Sequence, residues 1–136
     1  LFDCMWQDVG ILRTADGLRR ALHTLDDLAA RLARTGVADG DRAYHPAWHD
    51  WLNLRSLCDI SEVIAKAGLE RENSRGAHFR EDFPDSGDLD SSYFTLARKR
   101  GDALQVSREP VRFTIVRPGH SILSTEEPDT LVGAAE

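Results

Sequence analysis

The sequence predicts a mainly α-helical fold: an antiparallel three-helix bundle, spectrin-repeat-like, followed by a small C-terminal β-hairpin and a mobile tail. Three observations carry that expectation. Leu18, Ala21, Leu22, Leu25, Leu28, Ala29 and Leu32 form one apolar stripe at helical spacing, with Asp26, Asp27, Arg31 and Arg34 facing away from it. A longer helix is expected to open at Pro46 and run to about Arg75, roughly 30 residues or ~45 Å, with apolar positions from Trp48 to Leu69. After Pro84 the period shortens to two, with Tyr93, Thr95 and Ala97 alternating against Phe94, Leu96 and Arg98. Residues 1–84 are therefore expected to form the bundle, 85–118 a loop and hairpin, and 119–136 the tail.

Each element has its own start and stop signals. Leu1, Met5, Val9 and Leu12 recur at spacings of three and four, which predicts a short amphipathic helix over 1–12. Thr14 is a good N-cap for the next helix, Asp16 adds negative charge to its first turn, and Gly36 ends it. Val37 to His45 is polar and glycine-containing, hence a connector. Pro46 occupies a first helical position. The stripe that follows (Trp48, Trp51, Leu52, Leu54, Leu57, Cys58, Ile60, Val63, Ile64, Ala67, Leu69) is wider than one neighbouring helix can cover. Asp85 to Ser92 is a loop by composition. The turn Lys99-Arg100-Gly101-Asp102 leads to Leu104, Val106, Val111, Phe113 and Ile115, a second strand interrupted near Pro110.

Composition excludes several classes. With 136 residues and a net charge of −6, the chain offers no basic footprint for nucleic acid. No apolar run approaches the ~20 residues of a membrane span, and no signal peptide is expected from the opening residues. Cys4 and Cys58 fit no metal spacing and read as reduced, buried thiols of a cytoplasmic protein. The chain opens inside a helical pattern rather than at Met, which points to a piece of something longer.

Signals of a complete active site are missing. No glycine-rich turn follows a strand, and no P-loop, nucleophile elbow or metalloprotease helix occurs. No catalytic, cofactor-binding or metal residue is therefore assigned. His45 and His49, four apart, could share zinc with Asp41 or Asp50, but an accepted ligand spacing is lacking; a helix-entry and a solvent-facing histidine explain them. His23 reads as a bundle-edge residue. The dense segment is Ser74-Arg75-Gly76-Ala77-His78-Phe79-Arg80-Glu81-Asp82-Phe83-Pro84. Histidine beside carboxylates could serve acid–base work and an arginine fork could bind carboxylate, yet a bundle end offers little concavity. The structural reading assigns Arg75, Gly76, His78, Phe79, Arg80, Asp82 and Phe83 to domain docking. In it, Gly76 takes the left-handed position after the helix, Arg75 caps the last-turn carbonyls, Arg80 with Glu81 and Asp82 fixes the loop, and Phe79 and Phe83 anchor it.

Asn73 to Pro84, "NSRGAHFREDFP", resembles a signature near the carboxyl end of succinate dehydrogenase and fumarate reductase flavoprotein subunits. Met5-Trp6, Val9-Gly10-Ile11 and Arg13 are similar to the opening of that C-terminal domain, and Thr14 with Gly17-Leu18 to the start of its next helix. Asn53-Leu54, Ile60 to Arg71, Thr95-Leu96, Gly101 to Val106, Pro110-Val111 and Pro118 extend the likeness through the long helix and hairpin. The resemblance implies a helical domain packed beside FAD-binding and capping domains of the same chain. It implies hydride transfer between a dicarboxylate and FAD in the parent, an iron–sulfur subunit as a further partner, and a cytoplasmic location peripheral to the inner face of the cytoplasmic membrane. It puts the dicarboxylate and flavin ligands upstream, so that this piece supports assembly. L-aspartate oxidase shares the architecture, but its version reads Arg-Gly-Leu-His, and Ala77 leans against it. A different class, a free-standing helical interaction module, is motivated by the same loop and by Trp48 and Trp51 on the over-wide stripe.

Overall fold

The structure, a computed structural model, describes residues 1–37, 44–101, 103–121 and 123. Much of the expected connector, Asp102 and nearly all of the expected mobile tail lie outside the described residues. Three helices precede a small antiparallel sheet: α1 (Phe2–Asp8), α2 (Ala15–Thr35) and α3 (Pro46–Glu70), then β3 (Tyr93–Arg100) and β4 (Ala103–Pro110). Two short strands, β1 (Leu12–Arg13) and β2 (Phe79–Arg80), pair in parallel and bring the chain before α2 against the segment after α3.

The first helix is shorter than its apolar spacing predicts. It ends at Asp8 because the chain turns sharply: a Cβ on Gly10 would sit 2.7 Å from the Trp6 carbonyl oxygen, so only glycine fits. Leu12 then leaves the helical stripe and enters β1. The second helix matches its signals. Thr14 Oγ1 accepts from the Gly17 N–H at 3.0 Å, and Gly36, at φ 59°, closes the other end by donating to Leu32 O. The third helix starts as expected, with Pro46 in its first turn and His45 Nδ1 accepting from the Trp48 N–H. It stops at Glu70 rather than near Arg75, since Arg71 is already extended.

The core is small. Val9, Leu18, Ala21, Leu25 and Ala65 are buried, with Leu1, Cys4, Met5, Leu22 and Leu69 packed around them. The buried positions of α3 are Cys58, Ser61, Ala65 and Gly68, all small, so α2 and α3 approach closely. A Cβ on Gly68 would already touch Leu18 at 3.5 Å. The wide stripe of α3 consequently splits: its small residues face α2, while Trp48, Leu52, Leu54, Leu57, Ile60 and Ile64 remain exposed. Cys4 and Cys58 are free thiols whose pKa values burial pushes up.

The hairpin runs in register from Tyr93↔Pro110 to Arg100↔Ala103, with Gly101 at φ 60° in its turn. Its second strand ends at Pro110 and does not continue through Val111, Phe113 and Ile115. Proline has no N–H for the ladder; the Val111 N–H makes one last bond to Ser92 O at 2.8 Å, and the chain then departs. Arg108 fastens the hairpin to the end of α3. Its Nε donates to Glu70 Oε1 at 2.9 Å, its Nη2 lies 3.3 Å from Glu72 Oε2, and its guanidinium stands 5.0 Å from the Tyr93 ring centroid.

Leu18, fully buried at the α2–α3 contact, tests this packing. Leu18→Ala is expected to lower unfolding stability by about 3 kcal/mol. Ile60→Ala, at 59% exposure, is expected to stay within about 0.5 kcal/mol. Urea unfolding of both variants checks this; equal midpoints would refute the assigned core.

Candidate functional site

The segment after α3 is organised by Arg80, whose side chain is 1% exposed. Its guanidinium grips the Asp82 carboxylate through Nε–Oδ1 and Nη2–Oδ2, both at 2.7 Å. Nη1 donates to the carbonyls of Gly68, Leu69 and Arg71 at 2.9, 3.1 and 3.1 Å, which are orphan acceptors at the end of α3. The Phe83 ring lies against the same guanidinium, 4.9 Å from centroid to Cζ. Helix-end capping, expected of Arg75, thus belongs to Arg80: the chain reverses after Arg71 and β2 points residue 80, not 75, back at the helix.

Asp82 does a second job. Its Oδ2 accepts from the Ala15 N–H at 3.0 Å, at the first turn of α2. The Arg80 hydrogen bonds, helped by that N–H, hold its carboxyl far below the usual carboxylate range. Ser74 locks the main chain around this pair: Ser74 Oγ accepts from the Arg80 N–H at 2.8 Å and donates to Phe83 O at 2.8 Å. Glu81, expected to help fix the loop through its side chain, is exposed; its main-chain N–H makes the link, to Arg13 O at 2.9 Å.

His78 is held in one tautomer. Its Nδ1 is 2.7 Å from Arg13 Nη1, which can only donate, and its Nε2 is 3.2 Å from Arg71 O, which can only accept. The ring is therefore neutral, protonated at Nε2. Burial is the main reason its pKa falls below 6.5; the Arg71 carbonyl opposes this, and the nearby charges of Arg13, Arg71 and Arg80 reinforce it. Burial likewise lowers the pKa of Arg13. Arg13 donates from Nε to the carbonyls of Val9 and Gly10 at 3.2 and 2.6 Å.

Gly76 sits at φ 58° with nothing near its missing Cβ, at the tip of a turn closed by reciprocal Arg75–His78 main-chain bonds. Its left-handed backbone was expected; its place in that turn, rather than directly after the helix, was not. Arg75 reaches outward to Ser86 O, Ser92 Oγ and Asp88 O at 2.7, 2.7 and 2.9 Å, tying down the loop before the hairpin. Phe79 and Phe83 each keep 37% of their surface exposed.

The structure thus brings His78, Arg80, Asp82 and Phe83 into one assembly and turns Arg75 toward a different loop. Sequence reading missed the contributions of Arg13, Ser74 and Arg108: Arg13 and Arg108 act on partners remote in the chain, and Ser74 acts on main-chain groups of the loop itself. Of the residues weighed for zinc, His45 accepts from the Trp48 N–H through Nδ1 at the α3 N-terminus, and Asp41 lies outside the described residues. Among the described residues no three His, Cys, Asp or Glu gather as a metal site. His23 is exposed and lies 3.5 Å from Asp27.

This strand-braced loop on the end of a helix pair has relatives. The family described as fumarate reductase flavoprotein C-term matches residues 1–123, and the chain belongs to that family. A fumarate reductase flavoprotein subunit of Mycobacterium tuberculosis is 34% identical over 114 residues, 83% of this chain and 20% of that protein. An L-aspartate oxidase of Yersinia pestis is 36% identical over 81 residues, 60% of this chain and 14% of that one. In solved structures, the Mycobacterium smegmatis Sdh1 chain, in complex with UQ1, superposes with a TM-score of 0.74 at 29% identity, covering 84% of this chain and 20% of its own. The chain therefore spans about a fifth of the fumarate reductase subunit. No helix among the described residues is long and apolar enough to cross a membrane.

Two tests follow from this geometry. Asp82→Asn strands a buried guanidinium and is expected to cost about 3 kcal/mol, the low end of such losses because the carboxylate is 32% exposed. Glu81→Gln should cost less than about 0.5 kcal/mol; equal losses in urea unfolding would dismiss the Arg80–Asp82 pair as the organiser. The second test is pH. With the folded pKa of His78 below 6.5, the unfolded chain binds the proton first as pH falls, so stability contributed above pH 6.5 is lost below it. His78→Gln, which can still donate and accept, is expected to flatten the stability profile between pH 7 and 5. An unchanged slope would locate that titration elsewhere.

Proposed function

We propose that this chain is the C-terminal helical domain of an FAD-dependent oxidoreductase of the succinate dehydrogenase and fumarate reductase type. In this reading it braces the upstream FAD-binding and capping domains and does not carry the active site. The parent transfers hydride between a dicarboxylate and FAD, and an iron–sulfur subunit joins it at the inner face of the cytoplasmic membrane. Arg75, Gly76, His78, Phe79, Arg80, Asp82 and Phe83 present the docking loop, and α1 completes a three-helix bundle with α2 and α3.

The observation that carries this is the mismatch between a rigid loop and a bare surface. The loop is fixed by the buried guanidinium of Arg80 and its ion pair with Asp82, yet Phe79, Phe83 and the outer face of α3 remain exposed. So many large apolar side chains left exposed are typical of an interface. Cofactor geometry agrees. Flavin dinucleotides are gripped by a strand, a glycine-rich turn and a helix N-terminus, and the nearest approach to that here is β1, Thr14-x-x-Gly17 and α2. Asp82 already occupies the Ala15 N–H, Thr14 the Gly17 N–H, and a Cβ on Gly17 would lie 3.3 Å from Asp8 Oδ1. Two carboxylates stand where a pyrophosphate would need to be. These residues do not fit the cofactor, which supports its placement in the upstream domains.

A second reading, the equivalent domain of L-aspartate oxidase, draws on the 36% identity to the Yersinia pestis protein. Ala77 argues weakly against it, since the residue is exposed at a turn tip where leucine would also fit. The free-standing module fares worse, because the relatives carry this domain as a minor part of a longer chain.

Expressing this chain with and without the reading frame upstream of it tests the proposal. The chain alone is expected to show no flavin absorbance, and the extended protein to hold FAD and to turn over succinate or fumarate. Turnover of L-aspartate instead would favour the second reading. Stoichiometric flavin on the chain alone would overturn the assignment.

A further inference from the structure

Beside the docking loop, an open cleft of about 360 Å³ lies between α3 and β3. Arg13, Arg71, His78, Ile64, Ala67 and Thr95 contribute to its walls. Its charge is unbalanced. Arg80 is neutralised by Asp82, and Arg108 by Glu70 and Glu72. Among the described residues Arg13 meets only two carbonyls and the neutral ring of His78. Arg71 meets the Asn73 amide oxygen through Nε at 3.0 Å and the Tyr93 ring at 5.5 Å, leaving both Nη groups without an acceptor among the described residues. Arg75, also on the cleft, spends its donors on two carbonyls and Ser92 Oγ. Asp88 is close enough to feel that charge, but its carboxylate oxygens accept from Ser91 Oγ and the Asp90 N–H.

Half-buried guanidinium groups without a counter-charge are costly unless something supplies one. Thr95 Oγ1 adds to the demand: it is buried in the same cleft with no hydrogen-bond partner among the described residues. One class of group answers all three residues, an anion that accepts from Arg13, Arg71 and the Thr95 hydroxyl. The surroundings specify what carries it. Leu57, Ile60, Ile64 and Ala67 follow one another at spacings of three and four on one face of α3, and Leu57, Ile60 and Ile64 are 44, 59 and 40% exposed. That stripe runs straight into the cleft. A small free anion would leave it bare, whereas a polypeptide covers both.

We infer that the cleft receives the carboxylate of an Asp or Glu from the upstream part of the same polypeptide, with neighbouring apolar side chains covering Leu57, Ile60 and Ile64. The inference rests on the reading of the chain as one domain of a longer flavoprotein, and the relatives' extra length provides the segment.

The test uses the full-length parent. Arg71→Lys keeps the charge and adds an amine that a water-soluble carbodiimide joins directly to a carboxylate in ion-pair contact. Mass spectrometry of the digested product is expected to show an amide between position 71 and an upstream Asp or Glu, absent from the unsubstituted protein. Arg71→Glu is expected to raise proteolytic cleavage between this domain and the rest about tenfold, by setting like charges against each other. Absence of a cross-link, or one confined to residues 1–136, to a second copy or to another protein, overturns the inference. If FAD content and protease resistance stay intact in that case, the assembly role stands without this contact. Flavin on the isolated chain would instead remove the reading beneath it.

Discussion

The structure depends on putting one arginine out of water. A buried guanidinium is stable only when its charge is matched and its N–H groups are met, and Arg80 satisfies both by joining two helix ends of opposite polarity. The last carbonyls of α3, the negative pole of that helix, receive Nη1. The first amide of α2, near the positive pole of that helix, is met by the carboxylate of Asp82. One ion pair therefore complements both macrodipoles at once. Apolar burial between α2 and α3 is modest because the α3 residues at the contact are small, so this polar clasp carries an unusual share of what holds the helices in place.

Much of the fold was legible because it obeys local rules. Thr14, Gly36 and Pro46 mark helix ends by chemistry acting within a turn, and the structure places those ends where they point. The hairpin was readable from alternation over Tyr93 to Arg98, although its second strand was read too long, past a proline that cannot donate to the ladder. What was not legible is non-local. A two-residue parallel pairing has no period to detect, and β1 and β2 were hidden inside segments read as helix and loop. The end of α3 was misplaced for a related reason: nothing local stops a helix between Leu69 and Gly76, but Arg80, arriving from beyond, takes the last carbonyls of α3.

The candidate site shows the same division. That residues 74–84 form a specific, rigid feature was evident from their density of charge, glycine and aromatic rings. Individual roles were not, because Arg75 and Arg80 are chemically alike and only the path of the chain decides which turns inward. Arg13 illustrates the limit: its partner, His78, is 65 residues away. Its likeness to a family pattern placed it in an opening motif, but only the folded chain shows that it sets a histidine tautomer.

That distance has a consequence for how the domain is made. The contacts that complete the loop, Arg13 with His78 and Ala15 with Asp82, close circuits of 65 and 67 residues. Such closure costs chain entropy that only contacts formed afterwards, or already in place, can offset. During synthesis the segment that completes the circuit emerges after both long helices, and it has nothing to close upon until they pair. The loop is thus a late-forming latch on the helix pair. Its outward face takes shape only once the helix pair behind it is whole, so an incompletely folded copy lacks that surface.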